Sequence, residues 1–368
     1  MPKLYVCETN NILAKLPDLV PLDPRSDDCC GRDDLFVCAL GFEPRCLTLP
    51  RVLAECGYKA SRARYFEYTT NAVDNEPNRQ PLEEALRRIS CSVEAIRCDE
   101  SDFSSRFTRV VEDLSVDRLG QSARITFDIS VAANRLSMTC MRLLLDHDVS
   151  LRVLYTEAAV YHPTEEEYRK EPEKWITADA PGLEVGVGDL SLSKELPGHH
   201  LDALPNSIII FPNLKAARSK AVISKIDPSL LTSPGKSVVW MLGESKRSDL
   251  AWRLEEMANI NRISSTTPRY NVKVVEYRDT LRALEAAYSQ IWEQTNVSLA
   301  QFGSKLQCLG TSLFCYIHPD VRVWFATPQK YNAAHYSDGA SVLWKVDFGP
   351  IPKLRELLDG IGKIHIED

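Results

Sequence analysis

Four stretches of the sequence set a cation beside the start of an apolar, helix-like run: Gly41 to Arg45, Asp128 to Arg135, Pro212 to Arg218 and Gln301 to Lys305. A small turn that opens a helix leaves backbone N–H groups unused and brings the positive end of the helix dipole next to the lysine or arginine, a setting that suits a phosphate or another anion. The candidate ligand-binding residues are therefore Phe42, Glu43, Arg45, Asp128, Ser130, Asn134, Arg135, Arg218, Gly303, Ser304 and Lys305, with Tyr161, Tyr331 and Tyr336 as aromatic walls against which a base could stack. Each arginine taken singly is also a ready partner for a structural ion pair. Asp128 and Ser130 could be read as catalytic and Glu43 as a general base, but Asp after a strand more often caps the turn that follows. No Ser-His-Asp, Cys-His or paired-carboxylate spacing is present, nor a nucleophile elbow or a phosphate loop ending in G-K-[ST]. Binding is thus expected rather than turnover, with no catalytic residue assigned.

These turns need strands and helices to aim them. Short continuous apolar runs at Leu35–Leu40, Arg64–Tyr68, Val93–Arg97, Ala123–Ile129 and Leu151–Tyr155 alternate with helical patterns, among them Pro81–Ile89 with proline in its first turn after a polar loop at Thr69–Gln80. The alternation returns from Ser207–Phe211 onward. Strands interleaved with helices at this spacing imply right-handed crossovers and a parallel sheet covered by helices. The fold expected is α/β, with two tandem Rossmann-like parallel-sheet units: an N-terminal domain over residues 1–162, an irregular linker over 163–205 and a C-terminal domain over 206–368. Gly and Pro clusters and the acidic run Glu165-Glu166-Glu167 mark the linker.

An internal duplication is expected from registers without gaps. At a constant offset of 170 residues Arg135 meets Lys305, Leu143 meets Leu313, Arg152-Val153 meets Arg322-Val323 and Tyr161 meets Tyr331; in a second register Leu35–Arg45 lies over Ile208–Arg218.

Composition narrows the class. The chain is 44% hydrophobic and 26% charged with a formal charge of −7, so an extended surface for long duplex nucleic acid is not expected. No apolar run reaches membrane-spanning length and the N-terminus lacks a signal-peptide core, so a cytoplasmic protein without a membrane partner is expected. Eleven cysteines without a C-x-x-C pair read as reduced thiols; the vicinal Cys29-Cys30 is the pair that stands out. His162, His199 and His200 lack acidic or thiol partners at ligand spacing, so no metal is expected. The G-x-G-x-x-G fingerprint is missing after the first strand, and no cofactor is expected.

The turn Gly303-Ser304-Lys305 after the fourth strand, with Asp128-Ile129-Ser130 and Asn134-Arg135 at the same place in the first half and Gly41 to Arg45 after the first strand, resembles the CARF family of cyclic-oligonucleotide sensors. Two such units in one chain resemble the SAVED arrangement of bacterial antiviral systems. The resemblance implies a stand-alone tandem sensor or regulatory subunit in antiphage defence. Its ligand would be a cyclic oligonucleotide or related anionic nucleotide, and an effector protein would be its partner. An enzyme on the same scaffold (a nucleotide hydrolase, ring nuclease or small-molecule transferase) and a scaffold subunit with a vestigial pocket are the alternatives.

Overall fold

The computed structural model describes residues 9–26, 29–68, 72–98, 103–117, 122–180 and 182–364, with the side chains of 115–117 and 364 left aside. In chain order the first set of elements is β1 (Arg32–Ala39), α1 (Thr48–Glu55), β2 (Lys59–Tyr68), α2 (Ala72–Ile89), β3 (Val93–Cys98), α3 (Phe103–Asp117), β4 (Ala123–Asp128), α4 (Asn134–Leu145) and β5 (Val149–Thr156). Between the sets lie α5 (Glu165–Lys170), α6 (Pro172–Ile176) and β6 (Asp189–Leu192). The second set is β7 (Asn206–Phe211), α7 (Ala216–Ile226), β8 (Val238–Glu244), α8 (Trp252–Ile260), β9 (Arg269–Lys273), α9 (Tyr277–Tyr288), β10 (Asn296–Gln301), α10 (Lys305–Ile317) and β11 (Arg322–Thr327). The chain then adds β12 (Leu343–Pro350) and α11 (Ile351–Ile364).

The chain divides into two compact units. The first comprises Lys15–Tyr161 and Tyr336–Leu357, and its sheet runs Val20–Pro21, β12, β5, β4, β1, β2, β3. The second comprises His162–His335 with the described residues of 9–14 and 358–364, and its sheet runs β9, β8, β7, β10, β11, β6. Each sheet therefore has five parallel strands in the order third, second, first, fourth, fifth. A sixth, antiparallel strand follows the fifth: β12 on β5 in the first unit and β6 on β11 in the second. Mixed α/β architecture with parallel strands is as the alternation requires.

The central strands are buried on both faces, which is why they read as unbroken apolar runs. Ile208, Ile209, Ile210 and Phe211 are fully buried in β7, as are Leu35, Phe36 and Val37 in β1, each side chain contributing roughly 1.5–3 kcal/mol of transfer free energy. In the second unit α10 lies close on α9 because Gly310 has no side chain: a Cβ there would sit 2.3 Å from the carbonyl oxygen of Tyr277.

Three regions differ from the sequence-based expectation. Residues 163–205, expected as an irregular linker, carry α5 and α6 and contribute β6 to the second unit's sheet. Thr164 starts α5 with a capping box closed by Glu167, so the acidic run is a helix start. The polar loop expected over Thr69–Gln80 is helical from Ala72, and α2 runs through Pro77 and Pro81; residues 69–71 lie outside the described residues. Proline costs the helix two internal bonds, and tertiary anchoring offsets the loss. Asn78 donates to the carbonyls of Gly41 (2.8 Å) and Phe42 (3.0 Å), and Arg79 pairs with Glu67 and Glu76. Finally, β12 was not foreseen, although Leu343, Lys345 and Asp347 alternate with Trp344, Val346 and Phe348.

Candidate functional site

In open parallel sheets ligands collect beyond the carboxyl ends of the strands where strand order reverses. That reversal falls between β1 and β4 in the first unit and between β7 and β10 in the second. All four expected turns lie at those strand ends, and they divide between the units. Phe42, Glu43, Arg45, Asp128, Ser130, Asn134, Arg135, Tyr161 and Tyr336 belong to the first; Arg218, Gly303, Ser304, Lys305 and Tyr331 belong to the second.

In the first unit Arg45 sits in a 3-10 turn, Pro44–Leu47, and is buried. Its Nε and Nη2 donate to the two carboxylate oxygens of Glu43 at 3.0 and 3.2 Å, and its Nη1 donates to the carbonyl of Thr156 at the end of β5 (2.9 Å). Ser337 donates to Glu43 from the other side. Burial alone would pull the guanidinium pKa down; the Glu43 carboxylate, with smaller contributions from Tyr155 and Tyr161, raises it, so Arg45 stays charged. The hydroxyls of Tyr155 and Tyr161 are 2.9 Å apart, and Tyr161 accepts from the Ala158 N–H. Phe42 meets Tyr336 edge to face at 5.5 Å.

Asp128 ends β4, fully inside. Its Oδ1 accepts from the Ser130 N–H (2.9 Å) and the Ser130 hydroxyl, and that hydroxyl accepts from the Thr156 N–H (2.8 Å). Burial pushes the Asp128 carboxyl up to about 6, against the Ser130 hydrogen bonds and Arg45, which act the other way. Ser130 is wholly buried, so its hydroxyl is a structural link between β4 and β5 rather than an exposed nucleophile. Beside it the Thr156 hydroxyl is buried with no hydrogen-bond partner among the described residues. The helix that follows, α4, begins after Ala133, which supplies no side-chain cap; its first turn holds Asn134 and half-exposed Arg135 and no carboxylate.

In the second unit Arg218 lies in the first turn of α7. Its Nε and Nη2 meet the Glu184 carboxylate at 2.9 and 2.8 Å, its Nη1 lies 3.4 Å from the carbonyl of Ala326 in β11, and its guanidinium carbon sits 4.7 Å over the Phe302 ring. Glu184 also accepts from Asn213 (3.1 Å). Lys215, buried, donates to the carbonyls of Ala180 and Glu184; burial pulls its pKa down. At the end of β10 Gln301 accepts from the Gly303 N–H. Ser304 and Gln307 form a capping box on α10, the Gln307 N–H donating to the Ser304 hydroxyl (3.1 Å) and the Ser304 N–H to the Gln307 side chain (2.9 Å). Lys305 is the first residue of that helix.

Tyr161 lies in the two-residue strand Val160–Tyr161, opposite Ser337, and Tyr331 lies in Lys330–Tyr331, opposite Glu184. Sequence reasoning missed Glu184, Asn78, Asn213, Ser337 and Gln301. Of these only Gln301 had a local signal, a polar side chain at the end of an apolar strand. Among the described residues no group of three or more His, Cys, Asp or Glu gathers as a metal site, and no helix is long and apolar enough to cross a membrane.

No protein-family model matches this sequence, and no curated protein matches it. Among solved structures the chain is similar to the cytoplasmic domain of a prokaryotic cation chloride cotransporter, at 9% identity and TM-score 0.24, with 83% of this chain and 99% of that chain covered. It is similar also to a protein of unknown function from Pseudomonas aeruginosa PAO1, at 8% identity and TM-score 0.23, with 93% and 100% covered. Likenesses at these scores carry no argument about fold or function.

Proposed function

We propose that the chain is a tandem pair of Rossmann-like units, duplicated from one ancestor, that binds an anionic nucleotide. In this reading it serves as a sensor or regulatory subunit of the CARF and SAVED kind in antiphage defence, with a cyclic oligonucleotide or a related phosphate compound as ligand. The duplication is supported by the shared strand order. It is supported further by two arginines, matched in one register, that reach carbonyls matched in the other: Arg45 to Thr156 and Arg218 to Ala326. Binding rests on one observation: where strand order reverses, the fourth strand of each unit feeds a helix whose first turn carries a cation and no carboxylate, Arg135 in α4 and Lys305 in α10. Arg45 and Arg218 hold these ends together through their glutamates; Arg135 and Lys305 stand in the first helical turns, where an anion would meet the helix N–H groups. Burial of Ser130 and Asp128 disfavours the enzyme alternative.

Calorimetry against a panel of linear and cyclic nucleotides, with chromatography of the mixtures for product, tests the reading. Arg135→Ala or Lys305→Ala should weaken the bound nucleotide by about 10- to 150-fold, since a hydrogen bond to a charged group is worth roughly 1.5–3 kcal/mol. The loss should be larger at Arg135, because at the start of α4 only the Ala133 N–H is shown held by a side chain, the Tyr68 hydroxyl (2.7 Å), whereas the capping box on α10 takes both the Ser304 and the Gln307 N–H. Unchanged affinity in both variants overturns the assignment. Product formation by the parent protein favours the enzyme reading.

A further inference from the structure

Sequence alone singles out Cys29-Cys30; the fold brings a third thiol to them. Cys56, at the C-terminal cap of α1, donates to the carbonyl of Pro24 (2.9 Å), and Cys29 donates to that of the adjoining Asp23 (3.1 Å). Cys30 donates to the carbonyl of Cys56 itself (2.8 Å), so the three thiols gather where the segment before β1 meets the end of α1. Cys29 is fully buried among Leu22, Leu49, Leu53 and Tyr58, Cys56 is half-exposed and Cys30 is exposed. A buried cysteine that only fills space behaves as a small apolar group. Here one sulfur inside the core and another that opens to solvent sit on the carbonyls of adjoining residues, Asp23 and Pro24, across two segments well separated in sequence.

We propose that Cys29 and Cys56 are a peroxide-oxidisable pair that closes as a disulfide, clasping the segment before β1 to the end of α1. The oxidant is hydrogen peroxide or an organic hydroperoxide. The Cys56 thiolate attacks a peroxide oxygen and the O–O bond breaks, leaving a sulfenic acid on Cys56 and, after protonation, water from hydrogen peroxide or an alcohol from an organic hydroperoxide. The Cys29 sulfur then attacks the Cys56 sulfur, the S–O bond breaks and a second water leaves. Two thiols and one hydrogen peroxide thus become one disulfide and two waters. Burial raises both thiols, Cys29 to about 11, so reaction at neutral pH is slow and speeds up as pH rises.

The test uses the full-length chain, reduced, treated with hydrogen peroxide, blocked with an alkylating reagent and digested. The expected result is a Cys29–Cys56 cross-linked peptide lacking two hydrogens, reversed by dithiothreitol, that forms faster at about pH 9 than at about pH 7. Cys30→Ser should keep the cross-link and Cys56→Ser should lose it. Melting of the oxidised parent should shift upward. Peroxide that yields only Cys30 oxidation, or a cross-link between other cysteines, overturns the proposal. So does a parent protein whose Cys29 and Cys56 stay fully alkylatable after peroxide, a result that needs no variant to fold.

Discussion

Arg45 and Arg218 do the same work with carboxylates from different places. Arg45 takes its partner from two residues before it, whereas Arg218 takes Glu184 from the strand that lies opposite Tyr331. In the first unit that place opposite the tyrosine belongs to Ser337, and Ser337 donates to Glu43. One position supplies the acid in one unit and a hydroxyl that steadies the acid in the other. Each unit thus has an arginine–glutamate pair, with the acid coming from a different place in the chain. A buried guanidinium without a carboxylate would be costly, so each arginine needs an acid within reach. The segments that carry Ser337 and Glu184 are also exchanged along the chain: the stretch after β5 serves the second unit, and the stretch after β11 returns to the first.

The largest effect should come from removing an acid. Glu43→Ala and Glu184→Ala should each destabilise their own unit by about 3–5 kcal/mol, because each leaves a buried cation unmatched. The first unit should lose more, since the side chain of Arg45 is 5% exposed and that of Arg218 is 13% exposed. Urea unfolding, with hydrogen exchange read by mass spectrometry to separate the units, measures both. The comparison is sharpened by a transplant: Ser337→Glu added to Glu43→Ser should recover at least ~1 kcal/mol over Glu43→Ser alone, by restoring a partner to the cation. No recovery would break the equivalence of Ser337 and Glu184.

A second contrast concerns the last residue of the fourth strand. Asp128 and Gln301 each accept an N–H from two residues onward, but only Asp128 titrates. Its folded pKa lies above the ordinary aspartate value, so between about pH 4 and about pH 6 the folded state binds more protons than the unfolded state. Stability of the first unit should therefore fall as pH rises through that window, by roughly 3 kcal/mol at most. Asp128→Gln should remove this slope. Denaturation series at stepped pH check it, and a slope that persists in the variant would assign it to another group.

The smallest effects belong to the helix starts. Ser304→Ala should cost about 0.5–2 kcal/mol through loss of the α10 capping box. Ala133→Ser should stabilise α4 by no more than ~1 kcal/mol, and by supplying a competing acceptor it should weaken nucleotide binding. Thermal melts and calorimetry on the two variants test whether the helix starts differ as described. Equal responses would show that the missing cap on α4 has no consequence.

Local order was written plainly in the chain. Continuous apolar runs marked the central strands of both sheets, since a strand covered on two faces needs apolar side chains at every position. The positions of Arg45, Arg135, Arg218 and Lys305 near helix starts at strand ends followed from the same alternation. Glu43 could be seen beside Arg45 because the pair is local. What the sequence could not show was every pairing across long separation. Glu184 reaches Arg218 from 34 residues away, β12 joins β5, and α2 continues through two prolines because Asn78 finds carbonyls at Gly41 and Phe42. Periodicity reports which face of an element is buried; it does not name the element that buries it. A residue whose role depends on a partner brought near only by the folded chain carries no local signal of that role, and the acid of the second unit, the hydroxyl at Ser337 and the thiol at Cys56 were all of this kind.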